Sequence, residues 1–185
     1  STALTPNPNC GICSIRAPHK ARIPGTLREM MARLARRSAP NETGGILVGR
    51  RVDDIIDVLA ASDAGPNAIC EPTRFKRDGP YCQAFLEKLS AELGPNVDYV
   101  GEWHSHPASS AAPSPRDTMS FAEIAADEDY LTVAPLLVVV APSETDESIK
   151  WSFTVFPVGG LARTVELDDS LASASSARRP EVPLG

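Results

Sequence analysis

No stretch of this chain is long and apolar enough to cross a bilayer. Its longest apolar run is Ala134–Ala141, where a spanning helix needs about 20 residues. Basic charge is also in short supply. Lys and Arg number 18 against 24 Asp and Glu, giving a net charge of −6 and a pI near 5.1. That balance argues against nucleic acid or an anionic membrane as the main partner. The N-terminus has neither a charged n-region nor an apolar h-region, so no secretory signal is legible. A cytoplasmic chain with reduced thiols is the expectation. Cysteine is sparse: Cys10, Cys13, Cys70 and Cys82. Cys10-Gly-Ile-Cys13 has the spacing of half a metal site or a redox pair. Its surroundings do not read as thioredoxin-like, and Cys82 falls on an apolar helical face, which favours simple burial. No internal repeat is visible.

What is present suits one α/β domain with tails. The chain has 185 residues, 42% of them hydrophobic, enough for a single core. Residues 1–14 read as a flexible leader, 15–167 as the domain, and 168–185 as a Ser/Ala/Pro-rich tail expected to be disordered. A strand is expected over 15–23, with Ala21 and Ile23 on one face, then a turn at Pro24-Gly25. Thr26-Leu27-Arg28-Glu29 has the form of a capping box. It would open a helix that turns Leu27, Met30, Met31 and Leu34 inward and closes at Ser38-Ala39-Pro40. Strands are expected over 44–50 and 55–61, antiparallel, then a loop over 62–70 and a short strand over 72–76. Asp78-Gly79-Pro80 would open a second helix with Cys82, Phe85, Leu86, Leu89 and Leu93 on one face, stopped by Gly94-Pro95. Further strands are expected over 97–103, 134–140, 149–156 and 161–165, and a third helix over 115–126. Together these make a mixed, mostly antiparallel sheet flanked by about three helices.

The chemistry concentrates in residues 100–117. His104 and His106 are separated by one residue at the end of an expected strand. Side chains i and i+2 on a strand share a face, their Cα atoms roughly 7 Å apart, so two imidazoles there can converge on one cation. Pro107 takes the chain out of the ladder. Ser114-Pro115-Arg116-Asp117 then reads as a helix start, with Ser at the N-cap, Pro at N1 and a carboxylate at N3. An isolated Ser-x-x-Asp is usually only a capping box. Here it places Asp117 in a first helical turn from which it can face back to the histidines. Two imidazoles and one carboxylate suit zinc, and three protein ligands leave a fourth position open, the pattern of a catalytic site. A general base is still needed. The upstream candidate is Glu42, in Asn41-Glu42-Thr43-Gly44-Gly45-Ile46-Leu47-Val48-Gly49.

Glu42, His104-x-His106, seven residues, Ser114, two residues and Asp117 together resemble the JAMM (MPN-plus) metalloprotease motif without a departure. The flanks Glu-Thr-Gly-Gly-Ile-Leu-Val-Gly and Gly-Glu-Trp-His-Ser-His-Pro look like that family too. The resemblance covers roughly residues 20–160. It implies the MPN (JAB1/cytidine-deaminase-like) fold, a zinc cofactor held by His104, His106 and Asp117, Glu42 as general base, and Ser114 as a stabiliser of the oxyanion. It also implies deubiquitinase-like cleavage of isopeptide or peptide bonds after the terminal glycine of a ubiquitin-like protein, the expected partner. The compact, Ala- and Arg-rich build looks like bacterial JAMM proteins, which often sit beside ubiquitin-like conjugation enzymes, including in antiphage operons. Two alternatives stand beside this: a protease for a ubiquitin-fold sulfur-carrier protein, and a non-catalytic MPN scaffold. JAMM enzymes hold the substrate tail with an insertion before the histidine strand. Here that segment is short, residues 63–80, and Arg74, Phe75, Lys76 and Arg77 are the candidate tail contacts, core packing being an equal reading for Phe75.

Overall fold

The computed structural model describes residues 17–107, 110–130, 132 and 134–169. Cys10, Cys13, the leader over 1–14 and the tail from 170 lie outside the described residues. The elements in chain order are β1 (Lys20–Arg22), α1 (Gly25–Ser38), β2 (Gly44–Val52), β3 (Ile55–Ala61), β4 (Ile69–Glu71), β5 (Arg74–Lys76) and α2 (Gly79–Leu93). There follow β6 (Asp98–Ser105), α3 (Pro115–Ala126), a 3₁₀ turn (Glu128–Tyr130), β7 (Leu136–Pro142), β8 (Ile149–Val155), β9 (Arg163–Thr164) and β10 (Glu166–Leu167). Eight strands form one mixed sheet in the order β10-β1-β3-β2-β6-β7-β8-β9, and β4 and β5 form a separate hairpin. Among the described residues, no helix is long and apolar enough to cross a membrane.

The sheet is covered on both faces, which is why its central strands read as nearly continuous apolar runs. Strand β7 shows the division. Leu136, Val138 and Val140 face a core with Met31, Leu47, Val58 and Trp103, against α1. Leu137, Val139 and Ala141 face the other way, onto Phe121 of α3 and Phe156. A third cluster joins Ile46, Val48, Cys82, Val97 and Tyr99, with Phe85, Leu86 and Leu89 of α2 packed on it. Trp103 is fully buried, and its indole N–H is satisfied by the Ser62 carbonyl at 2.8 Å, as burial of that ring requires. Strand β6 lies between β2 and parallel β7. At Gly101 the approach is so close that a Cβ would sit 1.9 Å from the Leu136 carbonyl oxygen, with φ at +156°. Only glycine fits.

Several expectations are corrected. Helix α1 starts at Gly25, with Pro24 in the cap position and no side-chain cap. The Pro24 carbonyl takes the Leu27 and Arg28 N–H groups at 3.0 and 3.2 Å, so Thr26 lies inside the first turn and its capping box does not form. Leu93 is 51% exposed, because the packed face of α2 ends at Leu89. The expected loop over 62–70 ends in a strand, β4, which pairs with β5 across Pro72-Thr73. The last segment bridges both sheet edges: Arg163 and Thr164 pair with β8, and Glu166 and Leu167 pair with β1. This leaves fewer unpaired edge groups. Asp168, grouped with the tail on sequence, is tied in. Its N–H donates to Ala21 at 2.8 Å and its carboxylate accepts from Arg22 at 3.1 Å.

Candidate active site

The site forms where β6 ends. His104 is the penultimate residue of that strand, opposite Gly44 of β2 and Val139 of β7. His106 lies just past the strand, yet its N–H still donates to the Val140 carbonyl at 2.9 Å. Asp117 arrives from α3. The capping box there is complete: Ser114 Oγ accepts from the Asp117 N–H at 3.1 Å, and Asp117 Oδ2 accepts from the Ser114 N–H at 2.7 Å. The helix start expected at Pro115 is thus exact, and its cap aims the carboxylate at the histidines.

His104 Nε2 lies 3.2 Å from His106 Nε2 and 3.3 Å from Asp117 Oδ1, and His106 Nε2 lies 3.3 Å from Asp117 Oδ2. A tetrahedral zinc with bonds of about 2.0–2.1 Å sets its ligand atoms about 3.3 Å apart. His106 Nδ1 sits 3.1 Å from the Ser110 carbonyl. A carbonyl only accepts, so Nδ1 carries a hydrogen there and holds the ring with Nε2 turned into the cluster, the usual support of a ligating histidine. The donor set therefore fits a metal. Among the described residues, these three make the one group of His, Cys, Asp or Glu able to hold an ion.

Burial alone would raise the Asp117 carboxyl, but hydrogen bonds from His104 and His106, with the Ser114 N–H, hold it well below the usual carboxylate range. His106 is pushed up mainly by its hydrogen bond to Asp117, against the opposing effect of burial. Glu42 is raised by burial, partly offset by His104 and His106. A carboxylate made more basic next to a ligand cluster is a proper general-base candidate.

Glu42 lies two residues before the start of β2, and paired backbone holds it. Its N–H donates to the Glu71 carbonyl of β4 at 2.9 Å. Next to it, Ser105 N–H donates to the Thr43 carbonyl at 2.8 Å and Thr43 N–H donates to Ser105 Oγ at 3.0 Å. A groove of about 470 Å³ runs over these groups, lined by Glu42, Arg74, Phe75, Glu102, His104, His106, Ser114, Arg116 and Asp117. The β4–β5 hairpin forms its wall. The Phe75 ring stands 6.5 Å from the His104 ring, in space that Gly44 leaves open: a Cβ there would lie 2.8 Å from the Phe75 ring. Phe75 and Arg74 thus face the groove. Arg77 does not line it. Its Nε donates to Glu102 Oε1 at 2.6 Å and its Nη2 to the Tyr130 hydroxyl at 2.9 Å. Sequence reasoning passed over Glu102, although it lies two residues before His104 on the same strand.

The family model for prokaryotic homologues of the JAB domain matches residues 24–154. The chain belongs to this prokaryotic JAB family. It is 31% identical over 133 residues to a CD-NTase/cGAS isopeptidase of Enterobacter hormaechei subsp. hoffmannii, covering 71% of this chain and 72% of that one. It is also 31% identical over 91 residues to a CD-NTase/cGAS isopeptidase of Vibrio cholerae, covering 49% of this chain and 58% of the relative. The solution structure of a Desulfitobacterium hafniense protein shares the fold. Its TM-score is 0.60 at 20% identity, over 80% of this chain and 90% of that one. The JAB chain described here is thus a homologue of bacterial isopeptidases, and the JAMM resemblance carried by its motif agrees with that placement.

Proposed function

We propose that this JAB protein is a cytoplasmic, zinc-dependent isopeptidase that cleaves after the terminal glycine of a protein conjugate. The observation that carries the reading is the convergence of His104, His106 and Asp117 at 3.2–3.3 Å in the groove that also holds Glu42 and Ser114. A scaffold has no use for that set. Zinc, when bound by these three residues, supplies Lewis acidity and a water of lowered pKa. The Glu42 carboxylate takes the proton of the attacking water and returns it to the leaving amine. The Ser114 hydroxyl, whose oxygen already accepts from Asp117 N–H, keeps its proton to donate to the developing oxyanion. The β4–β5 hairpin beside the groove receives an extended tail by edge pairing.

The relatives named CD-NTase/cGAS isopeptidase favour a CD-NTase conjugate as substrate. A free-standing ubiquitin-like modifier or a sulfur carrier uses the same chemistry, and only the tail distinguishes them. The test compares two reporter fusions, one joined through the C-terminus of the Enterobacter hormaechei CD-NTase and one through ubiquitin. Chelator-sensitive cleavage of the first supports the whole reading. Cleavage of ubiquitin alone moves the substrate to a ubiquitin-like modifier. No cleavage of either, by protein loaded with zinc, overturns the reading.

A further inference from the structure

Glu102 has no part in the chemistry above, yet it lies in the groove with Glu42, Phe75 and His104. It sits on β6 two residues before His104, on the same face and roughly 7 Å away along the strand. Ile46 of β2 and Leu137 of β7 flank it in the sheet, so its backbone is fixed from both sides. The carboxylate is fixed as well. Arg77 Nε donates to Oε1 at 2.6 Å, and the guanidinium is itself clamped by the Tyr130 hydroxyl at 2.9 Å. Behind this pair lies a separate cavity of about 350 Å³, lined by Arg77, Cys82, Leu86, Tyr99 and Tyr130. The ion pair is thus a wall between that cavity and the groove.

Stability alone does not call for a charged wall. Apolar side chains of similar volume serve as well as a largely buried ion pair, or better. Arg77 neutralises the carboxylate and engages one oxygen, the buried Tyr99 hydroxyl also bears on it, and a carboxylate accepts about four hydrogen bonds, so acceptor capacity is left over. What faces the groove is therefore a rigid acceptor more than an attractor for cations. An extended chain advances about 3.3 Å per residue, so two residues of a bound tail span the distance from Glu102 to His104. With the cleaved carbonyl at the three ligands, a main-chain N–H about two residues upstream lies over Glu102.

We propose that Glu102, held by Arg77, accepts that tail N–H and so sets which bond of an extended tail reaches Glu42 and the ligand cluster. It is a specificity-determining residue, and the inference rests on the isopeptidase reading above. Without such a peg, a tail held by edge pairing can shift by whole residues.

The experiment uses the zinc-loaded chain and whichever of the two fusions the wild type cleaves. A second version of that reporter, made by semisynthesis, carries an ester oxygen in place of the tail N–H two residues before the cleaved bond. On the normal reporter, Glu102→Ala is expected to raise KM about 10-fold with kcat nearly unchanged. The ester reporter is expected to impose about the same loss on wild type and no further loss on Glu102→Ala. A wild type that handles ester and amide reporters alike overturns the inference, whether or not the variant folds. So does a Glu102→Ala protein of normal metal content that keeps the wild-type KM, or that suffers the full loss again on the ester. If the wild type cleaves neither fusion, the isopeptidase reading falls and takes this inference with it.

Discussion

The backbone N–H of Glu42 donates to the carbonyl of Glu71 at 2.9 Å, which makes the proposed base and the hairpin that walls the groove one unit. Glu71 contributes its carbonyl to this bond, and its side chain is exposed. Glu71→Ala is therefore expected to leave cleavage and stability nearly unchanged. Gly44→Ala is the contrasting change. Its Cβ would meet the Trp103 carbonyl oxygen at 2.2 Å and the His104 Cα at 2.9 Å. Overpacking of that kind costs about 1–3 kcal/mol, and here it also displaces the histidine strand. Denaturant titration and cleavage assays on the two variants check this. Equal behaviour of both would show that the strand junction tolerates movement.

Glu42→Ala separates binding of the metal from chemistry. Glu42 lies outside the cluster of His104, His106 and Asp117 that could hold an ion, so zinc content by atomic emission is expected to match wild type. Turnover is expected to fall about 10²–10⁴-fold, the usual loss on removing a general base. Normal turnover by this variant would remove Glu42 from the mechanism.

Much of this arrangement is legible in the sequence, and the reason is local. The turn Ser114-Pro115-Arg116-Asp117 carries its own capping chemistry, and α3 begins at Pro115 as those residues dictate. His104 and His106 share a face because strands alternate. The leucines and valines of β7 declare a strand buried on both faces, and all six from Leu136 to Ala141 are buried. What stays hidden depends on partners distant in sequence. Strand β4 is three residues long and gains its identity only by pairing with β5. Thr26 has a capping pattern that the Pro24 carbonyl pre-empts. Arg77 looks like one more exposed cation of the hairpin, until Glu102 and Tyr130, 25 and 53 residues away, turn it inward.

Removal of a ligand is predicted to act on both metal and stability. His104→Ala is expected to lose bound zinc, and full occupancy in it would exclude His104 from the ligand set. In wild type, a chelator should abolish cleavage and lower the melting temperature. A ligand present at 100 times its dissociation constant stabilises the fold by about 2.7 kcal/mol. A melting temperature indifferent to chelator and to added zinc would contradict the metal site.

In the proposed mechanism Ser114 does two jobs, and Ser114→Ala tests both at once. Its Oγ accepts from Asp117 N–H at 3.1 Å, and loss of an N-cap costs about 0.5–2 kcal/mol. Loss of an oxyanion donor costs about 10²–10³ in kcat. A modest drop in stability with a large drop in kcat is the expected pair. Loss of stability alone would leave Ser114 as a cap and nothing more.

The last prediction concerns pH and the sign of the contribution of Glu42 to folding. Burial raises its carboxyl above the ordinary value of 4.5, so the folded site favours the protonated form. In the unfolded chain the group ionises first as pH rises. Between the two values the native state binds more protons, and stability falls with rising pH. The contribution is complete below the ordinary value and is lost as pH climbs through the raised one. Glu42→Gln cannot ionise and escapes that loss. In chelated protein, its melting temperature relative to wild type is therefore expected to climb as pH rises above the ordinary carboxyl value and through the raised one. His104, His106 and Asp117 are present in both proteins, so the difference reports chiefly on Glu42. A difference that stays flat, or runs the other way, would mean that the folded site welcomes the charge. It would then take from Glu42 the raised basicity that suits it to accept a proton from water.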